Sequence, residues 1–227
     1  MLLLAALACT PAVLRPAHSL PALEGSGNLA VLVDPGAQVN PAACARFEAD
    51  CVSQTQALLD VEYRLGLGAG FDLGARGLFP PRALSLKYSV LDERRHRTPV
   101  SLALSAEGGV DAAGPGAGLV EVTLAPFARL DALASGTARF GDNVALRPAG
   151  SIGWWVEPRG MGDLHQGAGW TVGAFLPVRI PAGLALAPWV GGSGWFPDGR
   201  PAEAWVRFGV AVEPWLSPVG SPIPSPG

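Results

Sequence analysis

The stretch Asp60-Val61-Glu62-Tyr63-Arg64-Leu65 decides the fold, because charged and apolar side chains alternate along it without a break. A period of two places the two sets of side chains on opposite faces of a β-strand. Segments of about ten residues with this pattern, separated by turns, recur as far as Trp215. In a transmembrane β-barrel the apolar set meets lipid and the polar set fills the lumen. The pattern therefore predicts an all-β fold, a closed antiparallel transmembrane β-barrel.

The composition favours the same fold. The chain has 227 residues, of which 49% are hydrophobic and only 15% are charged, with Lys87 as its single lysine. A soluble domain usually carries about 25% charged residues, so a water-facing surface would be short of charge. No apolar run beyond the N-terminus is long enough for a transmembrane helix. A net charge of -3 argues against a nucleic-acid partner.

Ten strands are expected, with eight as the alternative if the first strand and the indistinct region 125–149 do not span. Pro126, Pro177 and Pro188 would each remove a ladder hydrogen bond, so we expect them at strand ends or bulges, with shorter strands as the result. The expected strands cover residues 28–39, 56–67, 71–78, 83–91, 99–108, 119–124, 151–157, 170–180, 184–190 and 202–215.

The chain divides into three parts: an export signal over residues 1–19, a barrel domain over 20–215 and a disordered Ser/Pro-rich tail over 216–227. Two cleavage sites remain open. Ala6-Leu7-Ala8-Cys9 has the form of a bacterial lipobox, in which Cys9 would be lipidated. Alternatively, Ala17-His18-Ser19 offers small residues for a signal peptidase that cuts before Leu20.

Cys44 and Cys51 form an even pair if Cys9 is lipidated or removed, which favours a disulfide in an exported protein. On a continuous helix they would lie roughly 10 Å apart, too far to bridge, so the disulfide requires a folded-back loop. Two separate thiols are the alternative. A metal site is disfavoured because no histidine lies nearby.

The polar face of the predicted strands collects acidic and basic residues in nearly equal number. Such a balance predicts a salt-bridge network that fills a narrow lumen, and a polar pore with ion preference is the alternative. The expected lumen charges are Asp60, Glu62, Arg64, Asp72, Arg76, Lys87, Glu107, Glu121, Arg179, Arg207 and Glu213.

The tryptophans all fall in the C-terminal third, several of them near predicted strand ends. Indole rings are suited to the membrane interface, which is the role we expect. An aromatic platform that binds a sugar is the alternative. The residues are Trp154, Trp155, Trp170, Trp189, Trp195, Trp205 and Trp215.

Catalytic chemistry is sparse, and we expect no enzyme and no cofactor. Of the three histidines, His18 lies in the export signal and His96 in a basic turn. His165, near Asp163 on an expected loop, could serve a lipid hydrolase with a serine such as Ser193, although a solvated loop histidine is the simpler interpretation. No metal-binding or nucleotide-binding motif is present.

The segment Val61-Glu62-Tyr63-Arg64-Leu65-Gly66-Leu67-Gly68-Ala69-Gly70-Phe71-Asp72-Leu73-Gly74-Ala75-Arg76 resembles a hairpin of small outer-membrane β-barrel proteins of Gram-negative bacteria. The strand with Leu86-Lys87-Tyr88 resembles the same proteins. The last strand, with Arg207-Phe208-Gly209-Val210-Ala211-Val212, looks like their C-terminal assembly signal, although the chain continues past Pro214. The resemblance implies outer-membrane lipid and the barrel-assembly machinery as partners, and leaves any partner of the extracellular loops unknown.

The sequence thus predicts a non-catalytic barrel of the bacterial outer membrane, of structural, adhesive or narrow-pore type. The alternative is an exported protein, soluble or lipid-anchored, that binds a small ligand or glycan through its tryptophans.

Overall fold

Ten long strands form the body of the protein in a computed structural model, which describes residues 14–34, 56–77, 81–96, 98–113, 123–159, 163–198 and 203–215. Two short strands, β7 (Ala138–Arg139) and β10 (Val178–Ile180), each continue a long strand in the same register after a short break. The long strands are β1 (Gly25–Asp34), β2 (Gln56–Gly68), β3 (Phe71–Arg76), β4 (Ala83–Leu91), β5 (Val100–Ala113), β6 (Thr123–Gly136), β8 (Ala145–Arg159), β9 (Asp163–Phe175), β11 (Leu184–Pro197) and β12 (Glu203–Pro214).

Every long strand is antiparallel to the long strands on both sides of it. Pairing runs from β1 to β2, β3, β4, β5, β6, β8, β9, β11 and β12 in order. The last strand returns to the first, with a register from Gly27 opposite Val212 to Val33 opposite Val206. This pairing closes the sheet, so the prediction of a closed antiparallel barrel with ten strands is confirmed.

The two ends of the barrel differ in their connections. One end, here called the turn end, carries the turn after β2, the short helix α1 (Glu93–His96), β7 and the 3₁₀ turn Pro181–Gly183. β1 begins and β12 ends at this same end. The other, the loop end, carries the connections after β1, β3, β5, β8 and β11. The longest of these, residues 35–55 and 114–122, lie outside the described residues.

The tight turn after β2 depends on backbone freedom. Gly68, Ala69 and Gly70 have φ angles of 86°, 49° and 91°, all in the left-handed region. Glycine adopts such angles at no steric cost, which explains two of the three residues. The chain therefore reverses direction within two residues, and Asp72 is the second residue of β3.

The alternation predicted from the sequence separates the two faces of the wall. Along β4 the buried residues are Ala83, Ser85, Lys87 and Ser89, whereas Leu84, Leu86, Tyr88 and Val90 are exposed. On the other long strands, where burial is described, most large apolar side chains also face outward. The inward face carries charges on β2, β3, β5, β6, β8 and β12, and buried aromatic rings on β6, β8, β9 and β11. The protein thus reverses the arrangement of a water-soluble domain.

The region 125–149 contains the main error of the sequence analysis. Of the expected strand over residues 119–124, Thr123 and Leu124 do open β6, and residues 119–122 lie outside the described residues. The expected bounds miss the rest of β6, which runs to Gly136, and the start of β8 at Ala145. The inward face of β6 carries Phe127 and Leu133 beside its charges. Apolar residues on both faces hide the alternation, which is why most of the strand was missed.

Proline does not shorten the strands as expected. Pro126, Pro148 and Pro188 lie within strands of 14 or 15 residues. Each sits just beyond the end of one of its two ladders: β6 pairs with β8 from Ala128 onward, for example, so Pro126 is paired only with β5. A missing N–H is tolerated there because no ladder bond is due on that side. Pro177, by contrast, does follow a strand end.

Several expectations fall outside the described residues. These are the lipidation of Cys9, the disulfide between Cys44 and Cys51, the lumen position of Glu121 and the disordered tail over residues 216–227.

Among the described residues, no helix is long and apolar enough to cross a membrane.

An outward arginine tests the inside-out arrangement. Leu130, halfway along β6, is 64% exposed. If lipid covers it, Leu130→Arg should lower the free energy of unfolding in lipid vesicles by about 2–4 kcal/mol, and an arginine at the rim by about 0–1 kcal/mol. Phe140→Arg, at a 63% exposed position of the turn end, is the matched control. Equal effects in a urea titration would contradict a lipid-facing wall.

Candidate functional site in the barrel interior

Most of the expected lumen charges lie buried inside the barrel. Two expected residues do not belong to this group. Glu121 is outside the described residues, and Arg179 is exposed on β10, so its assignment to the lumen is wrong. Beyond the break at Pro177, β10 continues the pairing of β9 with β11 in the same register, with Arg179 opposite Ala185. Arg179 therefore lies at the open rim of the turn end, where its side chain stays exposed. The buried residues are Asp60, Glu62, Arg64, Asp72, Arg76, Lys87, Glu107, Arg207 and Glu213.

A first ion-pair group lies on β2, β3 and β4 near the turn end. The Oδ2 atom of Asp72 is 2.5 Å from Nη2 of Arg64 and 2.8 Å from Nζ of Lys87. Their register explains the contact, because Asp72 stands directly opposite Lys87 on the neighbouring strand. One carboxylate therefore holds the chain's single lysine and an arginine together.

A second group lies farther from the turn end. Nε of Arg76 is 3.1 Å from Glu107 and 3.7 Å from Asp60. Arg82 also approaches Asp60, at 3.5 Å. Glu62 and Glu107 each form an ion pair with Arg15, which precedes the first strand of the wall in the sequence. The group thus joins β2, β3 and β5 across the interior.

A third group belongs to β6 and β8. Arg129 pairs with Glu157, and its Nε atom donates a hydrogen bond of 2.6 Å. The guanidinium also lies over the rings of Phe127 and Trp155, at 5.2 and 5.1 Å from their centroids. Nε1 of Trp155 donates to Asp131 at 2.9 Å. Charge and aromatic rings are therefore packed together in this part of the lumen.

A fourth contact crosses the lumen near the turn end. Nη1 of Arg147 on β8 donates to Glu213 on β12 over 2.5 Å, although β9 and β11 separate the two strands in the wall. Nε of Arg147 also reaches Thr137, whose hydroxyl donates to Glu93. Such a bridge leaves little free cross-section at this level.

Sequence reasoning missed Arg129, Asp131, Arg147 and Glu157 as lumen residues. The spacing of Arg129 and Asp131, two residues apart, was a usable signal, since it places both on one face of a strand. The apolar residues between them, Leu130 and Ala132, face outward as the pattern requires. Glu157 lay within a predicted strand but was not assigned to the lumen.

The segment Leu14–Leu20, here called the N-terminal strap, lies inside the barrel. All of its residues are buried, including Arg15 at 6% exposure and His18 at 0%. Past the strap, the chain turns at residues 21–24 and enters β1 at the turn end. The structure therefore places residues 14–19, which the sequence assigns to the export signal, in the lumen.

The barrel binds the main chain of the strap from both sides. Nζ of Lys87 donates to the carbonyl oxygens of Pro16 and His18, at 3.1 and 2.5 Å. The Ser89 hydroxyl donates to the carbonyl of Ala17, whose N–H donates to Ser135. These contacts hold the strap along a path that bends at Ala17 and His18.

Carboxylates hold the end of the strap that faces the turn end. Asp92 accepts the N–H of Ser19 at 3.0 Å and its hydroxyl at 2.7 Å. Asp72 accepts the N–H of Leu20 at 2.9 Å. Buried polar groups of the wall and of the strap therefore satisfy one another.

Apolar side chains of the strap occupy separate pockets. Leu14 belongs to a buried cluster on one side of the lumen, and Ala17 packs with Ala103 and Leu133 on the other. The strap thus crosses the lumen from one wall to the other. The wall residues of the Leu14 cluster are Ala30, Ala149, Phe175, Ala187, Trp189 and Ala211.

The expected membrane-interface role is wrong for Trp155, Trp189 and Trp195, all of which are buried inward. The neighbouring Trp154 faces outward, because adjacent residues of a strand point to opposite faces. Gly169 makes room for the indole of Trp155, since a Cβ there would lie 2.2 Å from the ring. Enclosed rings cannot form an open sugar platform either.

His165 and Ser193 are not brought together. His165 lies within β9, opposite Glu157, and Ser193 lies opposite Thr171 of the same strand. Six strand positions therefore separate their levels, about 20 Å. In the described part of the chain, no group of three or more His, Cys, Asp or Glu side chains is arranged to hold a metal ion.

Comparison with known proteins adds little. No protein-family model matches the chain, and no curated protein matches it. Among solved structures, the chain is similar to the β-domain of the Bordetella autotransporter BrkA, with 10% identity over 86% of this chain and 100% of that one, at a TM-score of 0.36. Similarity at this level carries no argument about function. The closed ten-stranded wall with its apolar outer face is the architecture of a small bacterial outer-membrane β-barrel.

Neutralising Glu107 should destabilise the barrel. Arg15 and Arg76 both pair with this carboxylate, so Glu107→Gln leaves two buried guanidinium groups with one acceptor fewer. We expect the free energy of unfolding to fall by about 3–5 kcal/mol. The exposed Glu24 offers a matched control, and Glu24→Gln should change it by less than about 0.5 kcal/mol. Similar urea midpoints for both variants would refute a stabilising interior network.

Proposed function

We propose that this protein is a β-barrel of the bacterial outer membrane with a filled, non-conducting interior, of structural type and without catalysis. The observation that carries the proposal is the inversion of the two faces: apolar side chains outside, and ion pairs inside. Water on the outside would leave this apolar belt exposed all around the barrel. Lipid on the outside removes the free-energy cost of exposing these apolar side chains to water.

The closed sheet supports the membrane location. Lipid offers no partner to an unpaired backbone group, so a β-structure can span a bilayer only when no strand edge remains. Pairing of β1 with β12 removes the last edge. The large exposed side chains, such as Leu104, Leu130 and Ile152, lie on different strands of this wall. Together they support an apolar belt around the barrel.

The connections support one orientation. Outer-membrane barrels have short turns at the periplasm and longer loops at the cell surface. The two longest connections, residues 35–55 and 114–122, are at the loop end, and the tightest turn, residues 69–70, is at the turn end with both ends of the barrel sheet. We therefore assign the turn end to the periplasm and the loop end to the exterior. β12 closes the barrel with Val206, Phe208 and Val212 facing outward. This face is the surface that we propose the barrel-assembly machinery recognises.

The filled lumen favours a structural role over a pore. Near the turn end the strap crosses the lumen, and Arg147 spans it to reach Glu213. Farther up, Trp155 is fully buried beside Arg129, and Trp195 is also fully buried. An adhesive role would belong to the loops of the loop end. A ligand-binding role for the buried tryptophans has no support from this packing.

A planar-bilayer recording tests the filled interior. The protein should insert without discrete conductance steps in concentrated KCl, because side chains and the strap occupy its cross-section. Insertion is verified by flotation of the same sample with lipid vesicles. Regular conductance steps from inserted protein would overturn the structural type and favour a narrow pore.

Cysteine labelling on intact cells tests location and orientation. Asp198 and Asp142 are exposed aspartates at the loop end and at the turn end. In a variant whose native cysteines are replaced by serine, Asp198→Cys should react with a membrane-impermeant maleimide on whole cells. Asp142→Cys should react only after lysis. Labelling of both sites on intact cells, or of neither, would contradict the proposed placement.

A further inference from the structure

We propose that the N-terminal strap is a resident plug: it stays covalently part of the mature protein and remains bound in a site built for it. The site is the half of the lumen next to the turn end, and Glu62 with Glu107 anchors the strap through Arg15. The proposal rests on the closed barrel of the proposed function, but it needs neither a particular membrane nor a particular role.

The lumen recognises the main chain of the strap. Three carbonyl oxygens of the strap accept hydrogen bonds from Lys87 and Ser89, and three of its N–H groups donate to Ser135, Asp92 and Asp72. Contacts of this kind require the chain to lie in one register. Buried backbone groups need hydrogen-bond partners. The polar groups of the strap therefore depend on those of the wall, and the reverse also holds.

Glu62 and Glu107, here called the acidic anchor, both bind one strap residue. Arg15 binds Glu62 through Nε at 2.7 Å and Glu107 through Nη2 at 2.9 Å. Glu107 also meets Arg76, but among the described residues Arg15 supplies the ion pair of Glu62. Arginine is suited to this position because its planar guanidinium can bind two carboxylates at once.

Leu14 completes the site on the opposite wall. Its side chain is buried among Phe175, Trp189 and small alanines, and Cδ2 would lie 2.8 Å from a Cβ at position 173. A glycine at that position therefore leaves room for the leucine. The strap is thus held by apolar contact at Leu14, by charge at Arg15 and by hydrogen bonds from Pro16 to Leu20.

The contacts have a consequence for processing. Cleavage before Leu20 would remove residues 14–19. Glu62 and Glu107 would then both lose Arg15, their ion-pair partner in the strap. Lys87 and Ser89 would lose their carbonyl partners as well. We therefore infer that the bond between Ser19 and Leu20 stays intact and that any export cleavage lies before Leu14.

Intact mass spectrometry of the protein purified from membranes tests retention directly. The expected mass includes residues 14–19. A mature chain that begins at Leu20 would overturn the proposal, whatever the conductance or the location of the barrel. Failure of the proposed function, by contrast, would appear as conductance steps or as labelling at the wrong end.

Cysteine protection tests whether the retained strap is bound. In the cysteine-free variant, Ala17→Cys places a thiol at a fully buried strap position, and Ala22→Cys places one in the exposed turn five residues later. In the folded barrel Ala22→Cys should react with maleimide at least about tenfold faster than Ala17→Cys, because Ala17 must leave its pocket to react. Equal rates would overturn the proposal.

The anchor is tested in the same assay. Arg15→Glu places a third carboxylate beside Glu62 and Glu107, so labelling of Ala17→Cys should rise at least about tenfold. Arg179→Glu, at an exposed arginine, is the matched control and should leave the labelling rate of Ala17→Cys unchanged. If Arg15→Glu does not fold, Arg15→Gln is measured in its place. Unchanged protection in the folded variant would overturn the role of the anchor.

Discussion

The pairing of β1 with β12 is the constraint on which the rest of the structure depends. A sheet in lipid cannot leave a row of N–H and carbonyl groups without partners, and this ladder removes the only remaining edge. Closure fixes an inside and an outside for every strand. The period of two then assigns each side chain to lipid or to lumen, and a shift by one residue would place charges against lipid. The register is therefore strongly determined.

The interior follows from this closure. Charged side chains that cannot face lipid must find partners within a narrow space, so they form pairs across the strands, as Asp72 does with Lys87, and across the lumen, as Arg147 does with Glu213. Pairing offsets the cost of burying the charges. The N-terminal strap extends the same logic, because its main chain and Arg15 satisfy wall groups that face the lumen.

The clear elements of the fold could be predicted because each carries one kind of residue on each face. β2 and β4 alternate cleanly, and their bounds differ little from the expected ones. β6 was harder to recognise, since Phe127 and Leu133 lie on its inner face and Pro126 lies near its start. The strap was also beyond sequence reasoning: an apolar leader carries no sign that a barrel, assembled from residues far along the chain, will bind it. Arg179 shows a different error: its strand register is continuous with that of β9, but the residue lies at the rim of the barrel, where the side chain is exposed.

The inside-out closed barrel is the central claim, and gel mobility tests it most directly. The protein is refolded into detergent micelles and run in cold SDS with and without boiling. A closed barrel held by continuous ladders resists SDS, so the unboiled protein should run as a compact, faster band that converts to the slower unfolded band on boiling. A single band with unchanged mobility, from a protein that stays soluble when detergent is removed, would contradict the account.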